Sequence, residues 1–327
     1  MNRVKYISSA FLRMLSLLIG VSIISFILVT NSPIDPLTSY VGPESTLSVE
    51  AKEEISEHWG LNDPPLERFA SWGKNVLNGD FGKSITYKQP VITVILERFK
   101  YSIVLMLVAW CFSGIVGFTI GVLAGVYKGS LFDKIIKIFC LTLQSAPTFW
   151  IGLLVLSLFS VYLGWFPIGF AVPMGKLASE ITIWDRLYHL VLPSLTLSIL
   201  GISRVTLFTR QKLIEILNSD FILFAKARGE NTRQIVIRHG LRNIALPAIT
   251  EQFASFSELF GGIALAETVF SYPGLGTATT AAGLNGDVPL LLGIAIFSAI
   301  FVFVGNFIAN ILYGVLDPRL KEGRYNG

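Results

Sequence analysis

Apolar residues arrive along this chain in blocks of about twenty, at 11–30, 101–126, 137–163, 188–208, 245–267 and 289–313, with charge collecting between them. Twenty helical residues at about 1.5 Å each cross roughly 30 Å of hydrocarbon, so each block predicts one membrane-spanning helix. The runs are continuous, whereas the strands of a spanning β-barrel would alternate over about ten residues. Gly, Pro, Ser and Thr punctuate every block, which lipid-embedded helices tolerate where neighbours re-satisfy the backbone. The expected class is an all-α membrane protein with six transmembrane helices.

Arg3 and Lys5 precede the first block, as they would in a secretory signal. The block is long, however, and no small-residue cleavage site follows at Asn31-Ser32-Pro33, so an uncleaved helix is expected. Lys and Arg near the helix ends set orientation. With both termini in the cytoplasm, Arg3, Lys5 and Arg13, then Lys128, Lys134 and Lys137, the basic stretch Arg204 to Arg242, and finally Arg319, Lys321 and Arg324 all fall inside. The opposite orientation would translocate the most basic loop.

The segment 31–100 is then external, too long for a turn and too short for a large core, and is expected to fold against the membrane domain. Ser48 is placed to N-cap a helix from Val49 to His58 that stops at Gly60, and Pro65 to open a second helix through Leu77. Glu50, Glu53, Glu54 and Glu57 read as a solvated helix face. The chain therefore divides into an N-terminal transmembrane helix (1–30), an external subdomain (31–100), a transmembrane core (101–313) with a cytoplasmic loop at 209–243, and a cytoplasmic tail (314–327). Within that loop Leu213, Ile216, Leu217, Phe221, Phe224, Ala225, Ile235 and Ile237 keep helical spacing amid charge, predicting two short helices broken near Gly229. Gly229 reads equally as a simple C-cap or as part of a helix that takes force from a partner.

Composition agrees with the pattern: 52% of residues are hydrophobic and 15% charged, against about 25% charged in soluble domains. The net charge of +4 follows the inside bias, with no basic-aromatic cluster to suggest nucleic acid. Cys111 and Cys140 fall in apolar blocks and form no C-x-x-C pair; His58, His189 and His239 fall in three different regions. No metal site and no catalytic set is expected. No G-x-x-x-x-G-K-[ST] loop is present, so the chain is not expected to bind ATP by that route.

Intramembrane carboxylates are the sharper signal, because a charge in the bilayer core costs several kcal/mol unless paired or wetted. Glu251 and Glu258, seven residues apart, fall nearly on one helical face, and Glu267 follows towards the external end of the same span. They either line a cavity or, with Glu251 and Glu267 at the two interfaces, leave only Glu258 deep, where it faces the pathway or is structurally paired. Gly261-Gly262 permits close packing or a local break in that span, and Pro147 should kink span three.

Longer motifs carry a family resemblance. Gly60-Leu61-Asn62-Asp63-Pro64, Trp72, Gly79-Asp80-Phe81-Gly82-Lys83-Ser84, Pro147-Thr148-Phe149-Trp150, Gly164-Trp165-Phe166-Pro167, the run Glu267-Thr268-Val269-Phe270-Ser271-Tyr272-Pro273-Gly274-Leu275-Gly276 and Leu316-Asp317-Pro318-Arg319-Leu320 together resemble the oligopeptide, dipeptide and nickel permease family of ABC importers. The resemblance implies a type 1 ABC importer permease fold in a bacterial or archaeal inner membrane. It also implies a homologous second permease, two cytoplasmic ATPases that bind the ATP, and an external solute-binding protein. The chain itself would then be no enzyme and hold no cofactor, with membrane lipid around it and peptides or metal chelates as cargo.

Asp220-Phe221, Ala225-Lys226-Ala227-Arg228-Gly229 and Arg238-His239-Gly240-Leu241-Arg242-Asn243 are similar to that family's coupling loop. The resemblance assigns ATPase coupling to Ala225, Ala227, Arg228, Gly229, Arg233, Arg238 and His239. Leu223 and Phe224 replace the general importer signature's Glu-Ala, and Leu246-Pro247 comes late, as in the peptide-type branch. Glu258 stands where the family pattern has a small or apolar residue, and Asn310 where it has an acid; Glu258 is expected to favour a cationic or amine-bearing solute. Gate or pathway candidates are Glu258, Gly261, Gly262, Glu267 and Pro147. The rival class is an ion-coupled secondary transporter or channel with Glu251, Glu258 and Glu267 as a relay. A membrane-embedded enzyme ranks last, since no paired Asp, HExxH or Ser/His set falls within the spans.

Overall fold

A computed structural model describes residues 3–31, 53 and 63–316, whose regular structure is helical apart from one isolated bridge between Lys83 and Pro90. In chain order the helices are α1 (Arg3–Thr30), α2 (Pro65–Leu77), α3 (Val91–Val126), α4 (Leu131–Ser145), α5 (Thr148–Leu156), α6 (Ile183–Leu217), α7 (Asp220–Ala227), α8 (Thr232–Ile235), α9 (Leu241–Ala254), α10 (Phe256–Val269), α11 (Leu275–Leu284) and α12 (Val288–Leu316). Two π-helical turns, Ser157–Tyr162 and Val236–Gly240, extend α5 and join α8 to α9. The expected helix from Val49 to His58 with its Ser48 cap, the Glu50, Glu54 and Glu57 face, Gly60-Leu61-Asn62 and Asp317 onward lie outside the described residues.

Among the described residues, α3, α6 and the 288–308 part of α12 are each long and apolar enough to cross a membrane. So are α4 and α5 with its π turn taken together, although they meet at 110°. The helices outrun their apolar blocks: α3 begins at Val91 and α6 extends to Leu217. At 36 and 35 residues these two span about 50 Å at about 1.5 Å per residue, more than the hydrocarbon needs. Expected span five is not one helix. It consists of α9 and α10, interrupted at Ser255, whose backbone still donates to Glu251 O (3.1 Å) and accepts from Leu259 N (3.1 Å).

The chain forms two compact units, Met1–Tyr101 with Pro273–Phe303 and Ser102–Tyr272 with Val304–Gly327. In the first, Pro65 opens α2 as its fixed φ suits, and Phe69 of α2 meets Phe26 of α1 edge-on at 5.1 Å. Val91, Val94 and Ile95 pack against Leu275, Ala278, Ala282, Leu290 and Ile294. The Gly-Asp-Phe-Gly stretch is a turn in which Gly79 and Gly82 take φ of 84° and 80°, and the Gly82 amide donates to Asp80 Oδ1 at 2.8 Å. Asp287 is fully buried and pins this loop, accepting from Ser84 Oγ (2.5 Å) and the Thr86 amide (2.9 Å), while its Oδ1 receives the Leu290 amide in the first turn of α12.

The second unit is built on α6. Thr182 and Asp185 cap its start reciprocally. Gly117, Gly121 and Gly125 lie four apart on α3 and meet it: a Cβ on Gly121 would sit 2.7 Å from Thr206 O, and one on Gly117 2.9 Å from Ile202 O. Small residues at this spacing let two helix backbones approach closely in a membrane. Trp110 Nε1 donates to Gln252 O (2.8 Å) and Gln252 Nε2 donates to Trp110 O (2.6 Å), which ties α3 to α9 beside the Ser255 interruption.

Candidate functional site

The charged stretch 209–243 folds as a helical hairpin around Gly229. Gly229 takes φ +86°, and α7 closes with its amide on Lys226 O (2.9 Å) and the Glu230 amide on Ala225 O (3.2 Å). That is a Schellman close, which needs a left-handed residue at this point. Asn231 and Gln234 cap α8 reciprocally at 3.0 and 2.9 Å. Glu230 is the polar hub: its carboxylate accepts from Arg228 Nη2 at 2.9 Å and pairs with His239 Nε2 at 3.0 Å. The Arg228 hydrogen bond does most to hold its carboxyl below the usual carboxylate range, against some loss of solvent, and His239 adds to it.

Ala225 is buried with Ile222 and Ile235 at the heart of the hairpin. Gly229 is exposed with the side chains of Ala227, Arg228, Arg233 and Arg238, and His239 is half-buried. The hairpin also presents Phe221, Leu223, Phe224 and Ile237, Phe224 being 74% exposed. An ion pair ties α6, on whose Ile216 and Leu217 the hairpin packs, to α4. Arg210 of α6 makes a two-pronged contact with Asp133 of α4, Nε to Oδ1 and Nη2 to Oδ2 (2.7 Å). Asp133 also accepts the Gly129 amide (2.8 Å), and the two side chains are only 15% and 4% exposed.

The carboxylates of the expected relay have separate environments. Glu251 is half-buried on α9, before the Ser255 interruption. Glu258 forms an ion pair with Arg204 of α6, and its side chain stays 63% exposed. Glu267 is fully buried and accepts from Ser102 Oγ at 2.5 Å. Glu258 has the structural pairing that is the alternative to a pathway role: Arg204, counted with the basic loop, sits in α6 and reaches it. The break in this span falls at Ser255 rather than at Gly261-Gly262, which lie inside α10: a Cβ on Gly262 would meet Leu197 at 3.5 Å, and one on Gly261 would meet nothing within 4 Å.

Glu258, Arg204, Gln144, Ser255 and Gly262 line an open cavity of about 240 Å³. Pro147 caps α5 at the 110° bend, as the expected kink in span three requires. At the far end of α10, Ser271 takes φ +47° and the Tyr272 amide closes on Glu267 O at 2.8 Å. The Phe270 carbonyl accepts the Phe170 amide at 2.9 Å. Only glycine fits at 169, since a Cβ there would lie 2.4 Å from that same oxygen. His189 Nδ1 donates to Gly169 O at 2.8 Å, so this histidine is a buried structural donor.

Residues 117–322 match the family described as binding-protein-dependent transport system inner membrane component. The chain belongs to this family. It is 35% identical over 317 residues to the oligopeptide transport system permease protein AppB of Bacillus subtilis (strain 168), covering 97% of this chain and 99% of that one. It is 31% identical to the dipeptide transport system permease protein DppB of Escherichia coli (strain K12), covering 93% and 95%. A chain of the MetNI methionine ABC transporter in an inward-facing conformation superimposes with a TM-score of 0.53 at 17% identity, over 69% of this chain and 97% of that one. As a member of the binding-protein-dependent family, the chain is a membrane-embedded permease component, and the MetNI likeness gives it the fold of an ABC importer permease.

Sequence reasoning did not single out Arg204, the Asp133–Arg210 anchor, Asp287 or the glycine stripe on α3. The stripe was visible as a four-residue repeat of Gly. The other pairings join residues 54 to 203 positions apart, and nothing local announces them.

Proposed function

We propose that this chain is one of two permease subunits of an ATP-driven importer of short peptides, with the energy supplied by separate ATPases. Family membership and the peptide names of its relatives support the class and the cargo; metal chelates, carried elsewhere in the resembling family, have no such support. The hairpin around Gly229 carries the reading. It is a compact element packed on Ile216 and Leu217 of α6, which the Arg210–Asp133 pair ties to α4, yet it exposes Phe221, Leu223 and Phe224 beside Arg228, Arg233 and Arg238. An apolar patch rimmed by cations suits a groove on a partner protein.

In this reading the hairpin faces the cytoplasm with both chain termini, and the six apolar segments all span the bilayer, spans three and five being bent or interrupted. Closure of two ATPases pushes on the hairpin, α6 carries the displacement, and α10 with Glu258 and Gly262 lines the path. A homologous second permease completes the path, and an external binding protein delivers the solute. The permease binds no cofactor and catalyses no covalent step. Reconstituted with these partners, it should take up labelled dipeptide only with ATP and binding protein present. Uptake that ignores ATP and follows a proton gradient would support the ion-coupled alternative instead.

A further inference from the structure

Arg204 and Glu258 are joined, yet they remain 39% and 63% exposed, Arg204 on α6, which is long and apolar enough to cross a membrane, and Glu258 in the first turn of the 14-residue α10. Charges turned towards hydrocarbon cost several kcal/mol each, so the space they face is wet or filled by something polar. That space is the cavity of about 240 Å³ to which Gln144 and Ser255 add polar groups. The pair touches through Nη1 and Oε2. Among the described residues, neither side chain has a further hydrogen bond or ion pair, which leaves Glu258 Oε1 and the Nε and Nη2 of Arg204 for a ligand.

We propose that this pair is a main-chain-reading subsite for the two oppositely charged ends of a short zwitterionic peptide, the ammonium on Glu258 Oε1 and the carboxylate on the outer face of the Arg204 guanidinium. The assignment rests on the peptide reading above. A lone Glu258 would select cations; paired with Arg204 it is neutral as a site and presents one donor edge and one acceptor, the complement of a zwitterion. The cavity is smaller than the roughly 300 Å³ at which small-molecule sites begin, so it suits the backbone termini common to all short peptides and leaves side chains unread.

The test uses the complete reconstituted importer and labelled dialanine, comparing Glu258→Gln, Arg204→Gln and the swapped pair Arg204→Glu/Glu258→Arg. Each single variant should lower ATP-driven uptake about tenfold or more, the scale of one charge-assisted hydrogen bond. The swap should restore the melting temperature lost in the singles, because the ion pair is re-formed, without fully restoring uptake, because donor edge and acceptor have exchanged sides of the cavity and the peptide must enter end for end. Uptake fully restored by the swap, or unchanged in the singles, would overturn the assignment and leave a structural pair. Should the swap fail to fold, Glu258→Asp decides: it should retain more uptake than Glu258→Gln at matched melting temperature, and equal loss in both would overturn the subsite. If the wild-type importer takes up no dialanine with ATP, the peptide reading itself fails and this subsite with it.

Discussion

At the scale of single residues, the Asp133–Arg210 contact makes the clearest demand. Both side chains are nearly buried and the carboxylate also holds a backbone amide, so removing one partner strands a charge. Arg210→Ala should cost about 3 kcal/mol of stability, visible as a lower melting temperature of the purified protein. A change well under about 1 kcal/mol would mean the site is solvated. Gly229 differs, because a Cβ there meets nothing within 4 Å and the difficulty for alanine is purely conformational. Gly229→Ala should therefore cost only about 1 kcal/mol, the penalty of a left-handed L-residue, read as loss of amide protection confined to the hairpin. The left-handed turn at Gly229 could be read from the sequence because glycine itself carries the conformation. Arg204 reaching Glu258 could not, since it depends on how α6 and α10 pack.

At the scale of elements, close approach of α3 and α6 and the polar hub of the hairpin give opposed tests. Gly121→Leu should prevent α3 from seating, with loss of folded protein on detergent gel filtration, because even a Cβ would lie 2.7 Å from Thr206 O. Gly261→Ala, with open space around it, should be neutral in the same assay. The hairpin should respond to pH through Glu230. Its carboxyl is held below its ordinary value, so its contribution is complete above the unfolded carboxylate range of about 4.3 and is lost as pH falls through the lower folded value. Hydrogen-exchange protection of the Gly229 and Glu230 amides should stay level from neutral pH to about 4.3 and decline below it. Protection that stays level well below that value would mean that the Glu230 carboxylate does not hold the turn. Hydropathy located the apolar segments well, since it measures what each helix must bury. It missed the interruption at Ser255 because no Pro or Gly marks it: the Trp110–Gln252 exchange between α3 and α9 stands beside that turn instead.

At the scale of the whole molecule, the family is fixed, and the open matter is how work enters the chain. On the proposed function that task falls to the hairpin around Gly229, seated on Ile216 and Leu217 of α6 and exposing Phe224. The deciding measurement is the ratio of peptide uptake to ATP hydrolysis in vesicles holding the full importer, wild type against Gly229→Asp. If the hairpin transmits the stroke, the variant should fold and insert, its vesicles should still hydrolyse ATP, and uptake per ATP should fall at least tenfold, about 1.4 kcal/mol of lost coupling. Uptake per ATP at the wild-type value would show that force enters elsewhere and would contradict the account.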